Sequence, residues 1–216
     1  MFIVIDGIDG SGKGTQVDLL KYHLESLGKK VHVLDFPRYD EQSSFFVKKY
    51  LNGGYGTEVS AKQASLFYAL DRFDAIYETY FETYDYMIAN RYTTSNMIHQ
   101  AAKISDSNEC DQFLEWLEEL EYGILLPRPD KVIFLNVTPE MSQKLVLEKQ
   151  ERTYLQNGKK MDIHEADLEH LSQARERAMR ITEKYENWIR IDCVKNKKML
   201  SKEEITGKIL AHILEK

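Results

Sequence analysis

The chain alternates between short apolar runs and longer stretches whose apolar residues recur every three or four positions. Residues 2–5 form an apolar run of strand length, and 31–35, 86–89, 131–137 and 188–192 are four more. Val17, Leu19, Leu20, Leu24 and Leu27 mark a first helix, stopped by Gly28. Helices are also predicted over 45–51, 93–103 and 108–122. Ser60 and Gln63 have capping-box spacing and open a long helix to about residue 84. Its broad stripe of Ala64, Phe67, Leu70, Phe73, Ile76, Tyr77, Tyr80 and Phe81 reads as core, with a subunit contact as a second use. Thr138-Pro139-Glu140 is a helix start, a long helix follows over 163–186, and Ser201 with Glu204 caps a closing one.

Five strands separated by helices predict an α/β fold: a five-stranded parallel sheet with helices on both faces. Right-handed crossovers align the loops after the strands on one edge, where such sheets bind ligands. The segments 7–13, 36–39, 90–92 and 193–198 are therefore expected to converge.

The length of 216 residues and the absence of a linker predict a single domain, 1–216, with the basic stretch 148–161 as a short lid. A net charge of −6 argues against nucleic-acid or anionic-membrane partners. Cys110 and Cys193 are too few for a disulfide framework, and no apolar run has membrane-spanning length. A cytoplasmic protein is expected.

The first strand breaks into Gly7, Gly10, Ser11, Gly12 and Lys13 before the first helix, which are the parts of a phosphate cradle. Glycines let backbone N–H groups approach an anion, the helix N-terminus adds partial positive charge, and Lys13 adds a full one. Gly14 stands where the common form of this loop has Ser or Thr, with Thr15 one place later, so the Mg²⁺-contacting hydroxyl is shifted or lost. Gly-Lys-Gly-Thr-Gln is similar to the loop of adenylate kinases. Arg38, Arg72 and Arg91, on segments leading to the same edge, are candidates for an acceptor phosphate, because a planar guanidinium binds phosphate oxygens bidentately.

Four segments in order, the loop 7–13, Phe36-Pro37-Arg38-Tyr39, the run 66–72 ending in Asp71-Arg72, and Asn90-Arg91-Tyr92-Thr93-Thr94-Ser95-Asn96, resemble the signatures of thymidylate kinases over nearly the whole chain. The resemblance implies transfer of the γ-phosphoryl of ATP to dTMP with Mg²⁺, and a homodimer packed through helices. It assigns ATP to Gly7, Gly10, Ser11, Gly12, Lys13, Gly14 and Thr15. It assigns dTMP to Asp9, Phe36, Arg38, Phe67, Arg72, Arg91, Asn96 and His99, with Phe67 stacking on thymine and Arg72 bonding a base carbonyl. Asp9 and Thr15 would hold Mg²⁺, Asp9 directly or through water; the other reading of Asp9 is an Asx-turn residue. The phosphate loop carries no arginine, so the family's alternative, an arginine from the lid, falls on Arg152 as a catalytic residue beside Lys13, Arg91 and Asp9. Glu165 and Asp167 would face the nucleoside; the other reading is charge at the N-terminus of the following helix.

The chain departs from the family at Asn90, usually Asp, at Asn136, often Asp, and at His99, often a tyrosine beside the sugar. A different nucleoside monophosphate kinase is the same-class alternative. A GTP-binding switch is disfavoured, since Asn196-Lys197-Lys198 is followed by Met199 and not Asp.

Overall fold

β1 (Phe2–Asp6), β2 (Val31–Asp35), β3 (Tyr86–Asn90), β4 (Lys131–Asn136) and β5 (Trp188–Asp192) pair in parallel in the order β2-β3-β1-β4-β5. This is the expected five-stranded parallel sheet, seen in a computed structural model that describes residues 1–79, 81–147 and 168–214. β1 lies at the centre, and all five of its residues are buried. Its alternate residues feed two cores. Phe2 and Val4 pack with α3 (Ala61–Tyr77), α5 (Ser107–Leu120) and α7 (Leu168–Lys184), while Ile3 and Ile5 pack with α1 (Lys13–Ser26) and α8 (Lys202–Leu214). Full burial of each such side chain contributes roughly 1.5–3 kcal/mol, so a strand apolar on both faces is stable only between two helical layers.

The predicted caps form. Ser60 N–H donates to Gln63 Oε1 at 3.0 Å and Gln63 N–H to Ser60 Oγ at 3.2 Å. Ser201 and Glu204 make the same reciprocal pair before α8, at 2.8 and 3.2 Å. α2 (Phe45–Leu51) and α6 (Pro139–Leu147) also lie where the sequence puts them.

Three expectations need correction. α3 ends at Tyr77, not near residue 84, because the Thr79 hydroxyl takes the Ala75 carbonyl at 2.7 Å and its N–H takes Ile76 O, closing the last turn. The broad stripe on α3 is not all core. Ala64, Ala69 and Ala75 face inward with Asp71 and Arg72, while Leu66, Leu70, Phe73 and Tyr77 are exposed. The helix predicted over 93–103 is one α turn, α4 (Thr93–Ser95), then a π-helical turn, Asn96–Gln100, then a 3-10 turn, Ala101–Lys103. The segment 193–198 leaves the C-terminal end of β5, where Cys193 N–H bonds Asn136 O at 3.0 Å. It folds into a hairpin of β6 (Val194–Lys195) and β7 (Lys198–Met199), with Asn196 and Lys197 at φ 51° and 60° in its two-residue turn.

The expected lid, 148–161, with Arg152, lies outside the described residues, as do Glu165, Asp167 and Tyr80. No described helix is long and apolar enough to cross a membrane.

Candidate active site

Register brings Asp35, Asn90 and Ile5 side by side at the ends of β2, β3 and β1. The loops leaving those ends wall a cleft of about 270 Å³. One wall is the phosphate loop: Asp9, Gly10, Gly12, Lys13 and Gly14 line the cleft. Gly12, at φ 88°, is the N-cap of α1, and a Cβ there would meet nothing within 4 Å, so the space over the helix N-terminus is open. Gly10, at φ 78°, has no such room. A Cβ would fall 2.4 Å from Ser142 O and 2.8 Å from Val146 Cγ2, both on α6. Ser142 Oγ also donates to Asp9 O, which ties α6 to the loop. Lys13 is folded back, with Nζ donating to Gly7 O and Ile8 O at 2.9 Å each. Ser11 is buried, and its Oγ has no hydrogen-bond partner.

The facing wall starts at Arg91, a non-glycine residue at φ 65°. A side chain held in that sparsely populated region marks a functional constraint. Its N–H still bonds Ile5 O at 3.0 Å, so the turn is welded to the sheet. The guanidinium donates to Asp9 Oδ1 and to Ser95 Oγ at 3.2 Å, and Asp6 lies 3.9 Å away. Burial works against the Arg91 charge, but Asp9 and Asp6 outweigh it and push the pKa up. Asp6 is held by the Gly7 N–H at 2.8 Å and by the Thr94 and Ser95 hydroxyls. His99 Nε2 lies 3.2 Å from Arg91 Nη1. Arginine can only donate, so Nε2 accepts and the ring is neutral with its proton on Nδ1. Burial, then the Arg91 charge, hold the His99 pKa well below its ordinary value.

Deeper in the cleft, Arg72 is 2% exposed and makes a bidentate pair with Glu121, Nε to Oε2 at 2.7 Å and Nη2 to Oε1 at 2.6 Å. Glu121 also accepts from Thr93 Oγ1 at 2.8 Å and Asn96 Nδ2 at 3.0 Å. It opens the π-helical turn Glu121–Leu125 that continues α5. Asn96 gives its other amide hydrogen to Ser65 O at 3.2 Å, which leaves its carbonyl oxygen for a ligand. Gln100, on the same wall, has a buried Oε1 with no hydrogen-bond partner. Phe36, Tyr39 and Tyr68 supply the aromatic lining.

A phosphate loop faces two arginines and several amide groups across one cleft, and the family model for thymidylate kinase matches residues 5–205. The chain belongs to the thymidylate kinase family. It is 31% identical to the thymidylate kinase of Mycobacterium tuberculosis over 78% of this chain and 79% of that one. It is 32% identical to the thymidylate kinase of Schizosaccharomyces pombe over 65% and 62% of the two chains. The fold matches that of thymidylate kinase from Candida albicans with a TM-score of 0.72, at 21% identity, over 99% of this chain and 90% of that one.

Of the residues expected from the thymidylate kinase signatures, Asp9, Gly10, Gly12, Lys13, Gly14, Phe36, Arg72, Arg91, Asn96 and His99 line one cleft. Gly7 lies behind it as a carbonyl partner of Lys13. Four others do not line it, and the buried Ser11 is one of them. Phe67 is not among the lining residues and stacks on Tyr55 at 5.2 Å and Phe46 at 5.9 Å, whereas its neighbour Tyr68 lines the cleft. One residue along a helix is a rotation of about 100°, enough to exchange one face for the other. Arg38 is held on α3, with Nε 3.2 Å from Asp71 Oδ1 and Nη2 on Ser43 Oγ at 2.9 Å and on Asp74. Thr15 sits half-buried in the first turn of α1 and is not among the lining residues. Sequence reasoning missed Tyr68, Asp35, Gln100 and Glu121. Glu121 follows Glu118 and Glu119 and looks like part of a solvated run; Gln100 carried a signal, since it follows His99 on the same predicted helix.

Asp35 lines the cleft beside Asn90, whose Nδ2 donates to Asp35 Oδ1 at 2.7 Å. Burial raises the Asp35 pKa, and that hydrogen bond and the charges of Arg91 and Lys13 oppose the rise. Among the described residues no group of three or more His, Cys, Asp or Glu is placed to hold a metal. The cleft does offer the carboxylates of Asp9 and Asp35. That oxygen set suits Mg²⁺, which keeps its waters and takes only one or two carboxylates beside substrate phosphates.

Proposed function

We propose that this chain transfers the γ-phosphoryl group of ATP to the 5′-phosphate of dTMP, giving dTDP and ADP. The observation that carries the reading is the single cleft that joins the Lys13 loop to Arg91 and Arg72 in a chain of this family. Phosphoryl transfer needs in-line placement and positive charge on the transferring oxygens more than covalent help. The N–H groups after Gly12 and the Lys13 ammonium take the donor phosphates, and Arg91 takes the acceptor phosphate at its boundary with the transferring group. Both cations are already bonded to the protein, Lys13 to two carbonyls and Arg91 to Asp9, so substrate phosphates replace protein oxygens on charges held in place. Thymine lies deeper, against Tyr68, with Arg72 donating to a base carbonyl and the Gln100 amide oxygen accepting from the ring N–H.

Asp9 is the residue that would hold Mg²⁺, through its waters, once Arg91 turns to phosphate. The ion supplies charge neutralisation between donor and acceptor phosphates. Arg152, from the sequence, is the candidate arginine of the lid. The exposed Leu66, Leu70, Phe73 and Tyr77 lie at i, i+4, i+7 and i+11 on α3, a continuous apolar stripe that supports a homodimer packed through this helix.

A coupled ADP-release assay across dTMP, dUMP, dCMP and AMP tests the reading. dTMP should be the best acceptor, dUMP weaker, and dCMP and AMP poor. Equal turnover efficiency with AMP overturns it in favour of another monophosphate kinase.

A further inference from the structure

Two arginines line the cleft, and the protein balances them differently. Arg91 faces Asp9, a residue of the cleft itself. Arg72 faces Glu121, which does not line the cleft, is 0% exposed, and receives hydrogen bonds from Arg72 Nε, Arg72 Nη2, Thr93 and Asn96. A carboxylate enclosed by that many donors is fixed in place, and the fork it grips is fixed with it. The two charges cancel, so Arg72 brings little net charge to the deep end of the cleft, while the phosphate end holds Lys13 and Arg91 beside Asp9 and Asp35.

We propose that Glu121 is a positioning residue that sets the base specificity of this cleft through Arg72. Holding Nε and Nη2 leaves the Nη1 edge of the guanidinium as the part free to meet a ligand. A donor-only edge in a fixed direction accepts a pyrimidine carbonyl and rejects an exocyclic amine, whose hydrogens would oppose its own. Cancelling the charge also keeps Arg72 from acting as a second phosphate site, which would bind a nucleotide the wrong way round. Thr93 and Asn96 hold Glu121 from the segment after Arg91, so the residue that reads the base and the one that holds the phosphate are set by the same turn.

The inference rests on the reading of Arg72 as the base-carbonyl donor, and the experiment separates the two. Steady-state kinetics with dTMP and dCMP, and calorimetric binding of thymidine, which has no phosphate, are measured for the unmutated protein, Glu121→Gln and Thr93→Val. Glu121→Gln keeps the shape and removes the charge. It should weaken thymidine binding about tenfold or more and lower the dTMP-to-dCMP efficiency ratio by a similar factor, with the KM for ATP within twofold. Thr93→Val, nearly equal in volume, removes one donor to Glu121 and should shift the same ratio several-fold in the same direction; it carries the test if Glu121→Gln does not fold. A merely structural role would lower kcat for both acceptors equally and leave their ratio unchanged. An unchanged ratio in the folded variant overturns the proposal, whereas an unmutated protein that uses dTMP and dCMP equally overturns the underlying reading.

Discussion

Gly10→Ala and Gly12→Ala impose the same backbone demand in different surroundings. Both glycines have left-handed φ, 78° and 88°. An L-residue in that region costs about 1–2 kcal/mol. At Gly12 nothing lies within 4 Å of the added methyl, so that is the whole expected loss of stability. At Gly10 the methyl meets a helix carbonyl at 2.4 Å and the Val146 methyl at 2.8 Å. The carbonyl is backbone and cannot swing aside, so either α6 or the loop must shift, and overpacking of this kind adds about 1–3 kcal/mol. The expected totals are about 2–5 kcal/mol for Gly10→Ala and about 1–2 kcal/mol for Gly12→Ala. Urea denaturation at constant m value reads the difference as a lower midpoint. Activity should fall in both, by displacement of Asp9 in one and by a methyl in the open phosphate space in the other. Equal midpoints for the two variants would refute the claim that the loop is packed tightly against α6 through Gly10.

Lys13→Ala and Arg91→Ala should each lower turnover by roughly 10²–10³ with the circular dichroism spectrum unchanged, because each removes charge from the transferring phosphate; a folded Arg91→Ala protein with normal kcat would take that residue out of the site. Tyr68→Ala should raise the Kd for dTMP at least several-fold, while Phe67→Leu should lower thermal stability and leave dTMP binding alone, and the reverse result would return the stacking role to Phe67. His99 favours the neutral form in the folded state, so the unfolded chain binds its proton first. Stability contributed by this group is complete above about pH 6.5 and falls as pH drops below it, by at most ~1.4 kcal/mol per unit. Denaturation midpoints from pH 7.5 to 5 should show that slope, and His99→Gln should flatten it.

The parts of the molecule legible in the sequence are those whose signal is local. β1 is apolar on both faces because both are covered, and the phosphate loop is one continuous stretch. The caps at Ser60 and Ser201 need only a neighbour three residues away. The parts that were not legible depend on phase or on distant partners. Phe67 and Tyr68 are both aromatic, and only the rotation of α3 decides which meets the cleft. The π-helical turn at Asn96–Gln100 shifts the phase again, and periodicity has no mark for it. Leu70, Phe73 and Tyr77 look like core because apolar spacing is the same whether the sheet or another protein covers the face. Glu121 is buried only because Arg72, 49 residues earlier, reaches it.

β1 is hydrogen-bonded to β3 on one side and β4 on the other, and its residues are shielded by both helical layers. Its amides should exchange with solvent deuterium only when the whole sheet opens. The wall that carries Asn96, His99 and Gln100 hangs instead on a π-helical turn followed by a 3-10 turn, whose hydrogen bonds are of poorer geometry. The cleft therefore has a hard end and a soft end. Local openings should loosen the wall of Asn96–Gln100 many times over while the phosphate loop stays anchored to the central strand, so under the proposed roles adaptation to a different base can proceed without disturbing the donor end.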